Sequence, residues 1–242
     1  MTTAAPLFYK NPQPITPEKH GSQFLRAPSG FEFASSTNSV PLAATEFYAS
    51  AKFFPIVFTA TETPIPVALL GLEDSRNVFV KEGQWTAGYI PAYVRRYPFV
   101  LATTPEPDKL TLCIDEGSNF LSPDANGQAL FESSGEPSPF LKEALNFCGQ
   151  YQTHWQVTNR FVQAVQAADL LVPKYANITT PTDEKLTLGG FLVIDEEKFN
   201  ALSDETFLTW RKEGWLALVY AHFFSQSNWQ TLLTAFSQVK QN

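Results

Sequence analysis

Cysteine, histidine and methionine are scarce in this chain: two, three and one among 242 residues. Cys113 and Cys148 lie far apart, so no paired-cysteine metal motif exists, and two separate buried thiols are expected. His20, His154 and His222 are followed by Gly-Ser, Trp-Gln and Phe-Phe. No His-x-Asp/Glu pair and no His-Glu-x-x-His is present, so no metal is expected. Positive charge is thin as well. No Lys/Arg run exceeds two residues and the net charge is −7, so neither nucleic acid nor an anionic membrane surface is an expected partner. The longest strongly apolar stretch, Trp215 to Phe224, is about half a membrane span. No transmembrane segment is therefore expected. The first twenty residues lack a basic region followed by an apolar one, which points to no secretory leader and a cytoplasmic protein. Phosphate-cradling glycine loops and the GxSxG nucleophile turn are missing too, and no cofactor is expected. Asp124-Ala125-Asn126-Gly127 resembles the start of a calcium loop, but the third acidic position and the distal glutamate are absent, leaving a turn.

What is abundant is hydrophobic surface. Residues of that class make up 44% of the chain, with 21 Phe, enough to bury a substantial core. A single domain over 1–242 is expected, in three stretches. Residues 1–40 are rich in Pro, Ser and Thr and read as an extended arm with short strands at 23–27 and 31–33. Residues 41–135 are strand-rich, after a short helix within 42–52. Strands are expected at 54–59, 66–70, 77–80, 99–103, 110–114 and 128–131, with turns at 105–108 and 124–127. Residues 136–242 are helix-rich. Ser138 before Pro139 is a helix start, with Gly149 a candidate interruption before a second helical stretch ending near Leu171. A polar loop at 174–185 and a late strand at 186–194 follow. Helices are then expected over 195–202, from Ser203 to about Phe224, and from Asn228 to Val239. Strands first and helices later, without a βαβ repeat, give an α+β fold. Its sheet is antiparallel or mixed, drawn from the N-terminal half and packed against the C-terminal helices.

Two constellations can carry function. The first runs from Gly83 to Phe99 and sets Trp85, Tyr89, Tyr93 and Tyr97 around Arg95 and Arg96. Arginine stacks on aromatic faces and forks onto carboxylates, so this mixture suits an acidic ligand or a peptide. The same residues also fit a short core helix over Pro91–Tyr97. The second is Tyr220 to Trp229. His222 and Ser225 are three apart on one helical face, and Asn228 is placed to start the next helix. A histidine beside a serine permits a catalytic reading, but no acidic residue stands near to orient the ring. A buried, hydrogen-bonded histidine at a helix corner is the other reading. The candidate ligand- or partner-binding residues are thus Trp85, Tyr89, Tyr93, Arg95, Arg96, Tyr97, His222, Ser225 and Asn228. No catalytic residue is assigned.

The order of motifs resembles the SapC family of bacterial proteins. It runs through Glu46-Phe47, Phe54 to Phe58, Val67 to Leu72, Asn77 to Val80, Gly83-Gln84-Trp85, Tyr89-Ile90-Pro91 and Arg95 to Phe99. It continues in Cys113-Ile114-Asp115, Gly127, Leu130-Phe131 and Gly135-Glu136-Pro137, and ends in Tyr220-Ala221-His222, Ser225 and Asn228. The resemblance implies association with a surface-layer gene locus and neighbours such as uptake receptors. It brings no reaction and no catalytic set. The leading expectation is a non-enzymatic binding or accessory protein that holds a protein, peptide or small ligand at the aromatic–arginine surface. The alternatives are a surface-layer component or export helper, and an enzyme with a site near His222.

Overall fold

The computed structural model describes residues 6–26, 30–104, 106, 109–124, 126–179 and 185–240. The chain folds into two compact units, each assembled from separated pieces: residues 1–33 with 94–153, and residues 34–93 with 154–242. The expected turn at 105–108, Ala125 of the turn at 124–127, and residues 180–184 of the expected polar loop fall wholly or partly outside the described residues.

The first unit is built on short antiparallel sheets. Leu110–Asp115 is the centre of a three-stranded sheet, flanked by Phe99–Thr103 and by Pro12–Pro14. Phe24–Leu25 pairs with both Leu121–Ser122 and Gln128–Ala129. The N-terminal stretch is thus woven into sheets rather than held out as an arm. The expected strand at 31–33 gives way to a 3₁₀ turn over Glu32–Ala34. Beneath these strands lies a core including Tyr9, Tyr97, Phe99, Ile114, Leu130 and Leu141.

The Ser138–Pro139 signal starts a helix where expected. The Ser138 hydroxyl accepts from the Leu141 N–H at 3.1 Å and donates to the Ala129 carbonyl at 2.7 Å. The helix then runs unbroken over Pro139–Ala167, through Gly149. One mid-helix glycine costs only about 1 kcal/mol relative to alanine, which the burial of Leu141, Cys148 and Tyr151 outweighs.

The second unit holds a five-stranded sheet in the order Leu171–Thr179, Lys185–Ile194, Ile56–Thr59, Pro66–Leu69, Ser39–Pro41. Ile56, Val57 and Phe58 are fully buried, as the unbroken β-branched and aromatic run requires. Two of the five strands come from late in the chain, one more than the periodicity suggests. Leu171–Thr179 contains Pro173 and occupies an edge, the position where a proline is tolerated. The helix expected from Ser203 to Phe224 is two helices, Asp204–Glu213 and Trp215–Ser225, divided at Gly214 with φ of 78°. Ser203 caps the first by accepting from the Thr206 N–H. All strand pairings among the described residues are antiparallel, and the fold is α+β. No helix of the described residues is long and apolar enough to cross a membrane.

Candidate functional site

The aromatic–arginine segment divides between the two units, with Trp85, Tyr89 and Tyr93 in the second and Arg95, Arg96 and Tyr97 in the first. In the second unit, a hairpin pairs Val80–Lys81 with Gln84–Trp85 through Glu82 and Gly83, both at positive φ as a tight hairpin turn demands. Trp85 Nε1 donates to the Tyr89 carbonyl at 2.7 Å, and the Tyr89 hydroxyl donates to Glu46 Oε1 at 2.8 Å. Glu46, itself buried, also accepts from the backbone N–H groups of Ala92 at 2.7 Å and Ala43 at 3.2 Å. Tyr93 is buried. Here the aromatics fasten a loop to an internal carboxylate.

In the first unit, Tyr97 is core. Its ring stacks on Phe33 with centroids 4.3 Å apart, and its hydroxyl donates to Asp115 Oδ2 at 2.8 Å. Burial first, then that hydrogen bond and the carboxylate's charge, raise its phenol far above the ordinary range. Arg95 and Arg96 instead line a cavity of about 550 Å³ against one face of the Pro139–Ala167 helix. The Arg95 guanidinium lies over the Phe147 ring at 5.1 Å. That of Arg96 lies over Tyr151 at 4.8 Å and Tyr9 at 5.7 Å. Phe99, Phe140 and Ala144 supply apolar wall, and among the described residues Glu143 is the one acidic group in the lining.

Cys148 also lines this cavity, yet burial pushes its thiol up to about 11, with the Arg96 charge acting the opposite way. Burial likewise raises Cys113. Only the thiolate alkylates, so at pH 8 Cys148 should label with iodoacetamide about a hundredfold more slowly in the folded chain than in denaturant, and Cys113 more slowly as well. Mass spectrometry of timed aliquots reads this; fast native labelling of Cys148 would place its thiol in contact with solvent.

His222, Ser225 and Asn228 do meet, in the second unit, and all three are buried. His222 Nε2 accepts the Ile194 N–H at 3.1 Å, while Nδ1 has no well-aligned hydrogen-bond partner among the described residues. The Ser225 hydroxyl donates to the His222 carbonyl at 2.6 Å and accepts from the Ile56 N–H at 3.0 Å. Asn228 Nδ2 donates to the carbonyls of Ala51 at 2.6 Å and Phe54 at 3.3 Å. The hydroxyl proton and the ring's acceptor nitrogen are both committed to backbone. As bonded, they do not form the hydroxyl-to-imidazole pair that base-assisted attack needs. Among the described residues, no three His, Cys, Asp or Glu side chains gather as a metal site would require.

Sequence reasoning missed the helix's contribution to the arginine cavity. Phe140, Ala144, Phe147 and Tyr151 recur at helical spacing, and that stripe was the available signal. It also missed Glu46 and Asp115 as buried acceptors, because nothing in a sequence tells which backbone N–H groups will lack partners.

An α+β protein with an arginine-bearing, aromatic-walled groove in one of its units is therefore what the fold and geometry define. The family model for SapC matches residues 15–232, and the chain belongs to the SapC family. No curated protein and no solved structure matches it.

Proposed function

We propose that this is a binding or accessory protein without catalytic activity, and that its ligand sits in the groove lined by Arg95 and Arg96. The observation that carries the reading is the cavity of about 550 Å³, within the size range of small-molecule sites, whose lining combines two arginines with Tyr97, Phe99, Phe140 and Phe147. The composition is that of binding hot spots. Trp85, Tyr89 and Tyr93 then serve the fold, as do His222, Ser225 and Asn228, whose polar atoms hold backbone.

The test uses 8-anilinonaphthalene-1-sulfonate, an aromatic anion whose fluorescence rises on apolar contact. One saturable site is expected. Ala144→Trp, which fills the groove from the helix side, should weaken binding at least tenfold. Arg95→Ala with Arg96→Ala should do the same while far-UV circular dichroism stays unchanged. Absence of saturable binding, or full binding by Ala144→Trp, sinks the reading. Loss of the folded signal in the double variant would make the arginines structural and sink it as well.

A further inference from the structure

The remaining polar groups of the groove narrow its ligand further, on the premise that the groove is the ligand site. Arg95 and Arg96 are engaged by rings of the protein itself. The side-chain amides of Asn146 and Gln150 are placed differently. Both line the groove from the Pro139–Ala167 helix, both are exposed, and no other group among the described residues takes either amide. At 3.6 residues per turn, Asn146, Gln150 and Glu143 fall within about 60° of one another and form a polar rim. Phe147, Phe140 and Ala144 follow round the helix toward the buried Cys148 and form an apolar floor.

The spacing of the two amides decides what meets them both. Four helical residues rise about 6 Å. An extended chain offers the N–H and C=O of every second residue along one edge, at a repeat of about 6.4–6.8 Å. A side-chain amide carries a carbonyl and an NH₂, the complement of one such N–H and C=O pair. A compact ligand with a single amide group meets one of the two side chains, whereas an extended backbone meets both in register.

We infer that the groove holds a short extended peptide segment along this helix, with alternate backbone N–H and C=O pairs on Asn146 and Gln150 and every second side chain on the apolar floor. Main-chain bonds then supply affinity, and the floor selects apolar side chains at alternate positions.

The probe is acetyl-Ser-Leu-Ser-Leu-Ser-amide, uncharged and apolar at every second residue, titrated calorimetrically into the full chain. Two N-methylated forms, one methylated at both leucines and one at the central serine, keep every side chain and block opposite edges of the backbone. Methylation of one edge is expected to weaken binding about tenfold or more, and of the other less than about threefold. Asn146→Ala and Gln150→Ala should each weaken the parent peptide at least about fivefold. Alanine is the better helix former at both exposed positions, so the fold is kept. In the double variant the two methylated forms should bind alike. Equal effects of methylation on the two edges of the unmutated chain's ligand, or full binding by the double variant, overturn backbone recognition; loss of that binding in Ala144→Trp would still keep the groove as the ligand site. Peptide binding that survives Ala144→Trp, or none at millimolar concentration, overturns the inference. In that last case the naphthalene sulfonate titration still decides the groove by itself.

Discussion

Replacing Asp115 with alanine is expected to cost about 3–5 kcal/mol, a large fraction of the stability of a chain this size. The carboxylate is wholly buried and accepts four donors. Lys10 N–H approaches both oxygens at 3.2 Å, Asn11 N–H reaches Oδ1 at 2.6 Å and Gly117 N–H at 3.2 Å, and the Tyr97 hydroxyl reaches Oδ2 at 2.8 Å. Alanine removes the acceptor and leaves the donors in place, each buried one costing about 1–3 kcal/mol until water or a rearrangement reaches it. Asp115→Asn keeps the volume but turns one acceptor into a donor facing other donors, so an intermediate loss is expected. Glu106→Gln is the contrast. Its partner Lys109, at 2.9 Å, is exposed as Glu106 is, and exposed pairs contribute about 1 kcal/mol or less. Urea unfolding followed by circular dichroism measures all three. A loss below 1 kcal/mol for Asp115→Ala would mean the N-terminal segment is not anchored through this carboxylate.

The second large effect is on acid stability. Burial pulls His222 down to about 3 from an ordinary 6.5, and the Ile56 backbone, acting in the opposite direction, offsets only part. The Ile194 N–H bonded to Nε2 requires that nitrogen unprotonated. Below pH 6.5 the unfolded chain takes up a proton on this ring, and the folded chain does not until about pH 3. Stability from this group is therefore complete above 6.5 and falls as the pH drops toward 3, by up to about 1.4 kcal/mol per pH unit. Between pH 7.5 and 5 the loss is about 2 kcal/mol. His222→Gln keeps an acceptor for the Ile194 N–H and has no proton to gain. Its stability should vary less over that interval, by the same amount. Lys174, Asp195 and Glu196 line the cavity beside His222, and the comparison cancels their titration because both chains carry them. Equal pH dependence in the two chains would show that the ring is protonated in the folded state.

Much of the fold was legible because its signals are local. Ser138 followed by proline, Ser203 followed by two acids, and the apolar run at Ile56–Phe58 each declare their structure within a few residues. Gly214 after Arg211 and Lys212 is an equally local helix stop, and its left-handed φ explains the division of the long helix that periodicity alone ran together. The edge strand Leu171–Thr179 was not legible. Its proline-bearing sequence, with Lys174 directly after the proline, becomes a strand because Lys185–Ile194 offers hydrogen bonds, a pairing that no window along the chain displays. The candidate site was half visible. Arg95 and Arg96 stood out by composition, but which neighbouring aromatics share their surroundings depended on where the chain passes between units. That crossing falls between Tyr93 and Val94.

The interleaving of the two units also sets the order in which they are completed during synthesis. Pro12–Pro14 meets its partner only once Cys113–Asp115 has been made. Ile56–Thr59 meets one of its neighbours only with Phe191 and Leu192. At about 5–20 residues per second, the first wait is on the order of 5–20 s, before Tyr97 and Phe120 are there to pack against Phe33. For the same reason, a shortened chain beginning at residue 34 or ending at residue 153 is no isolated unit: each cut strips partner strands from a sheet whose remaining edge then invites pairing with other chains.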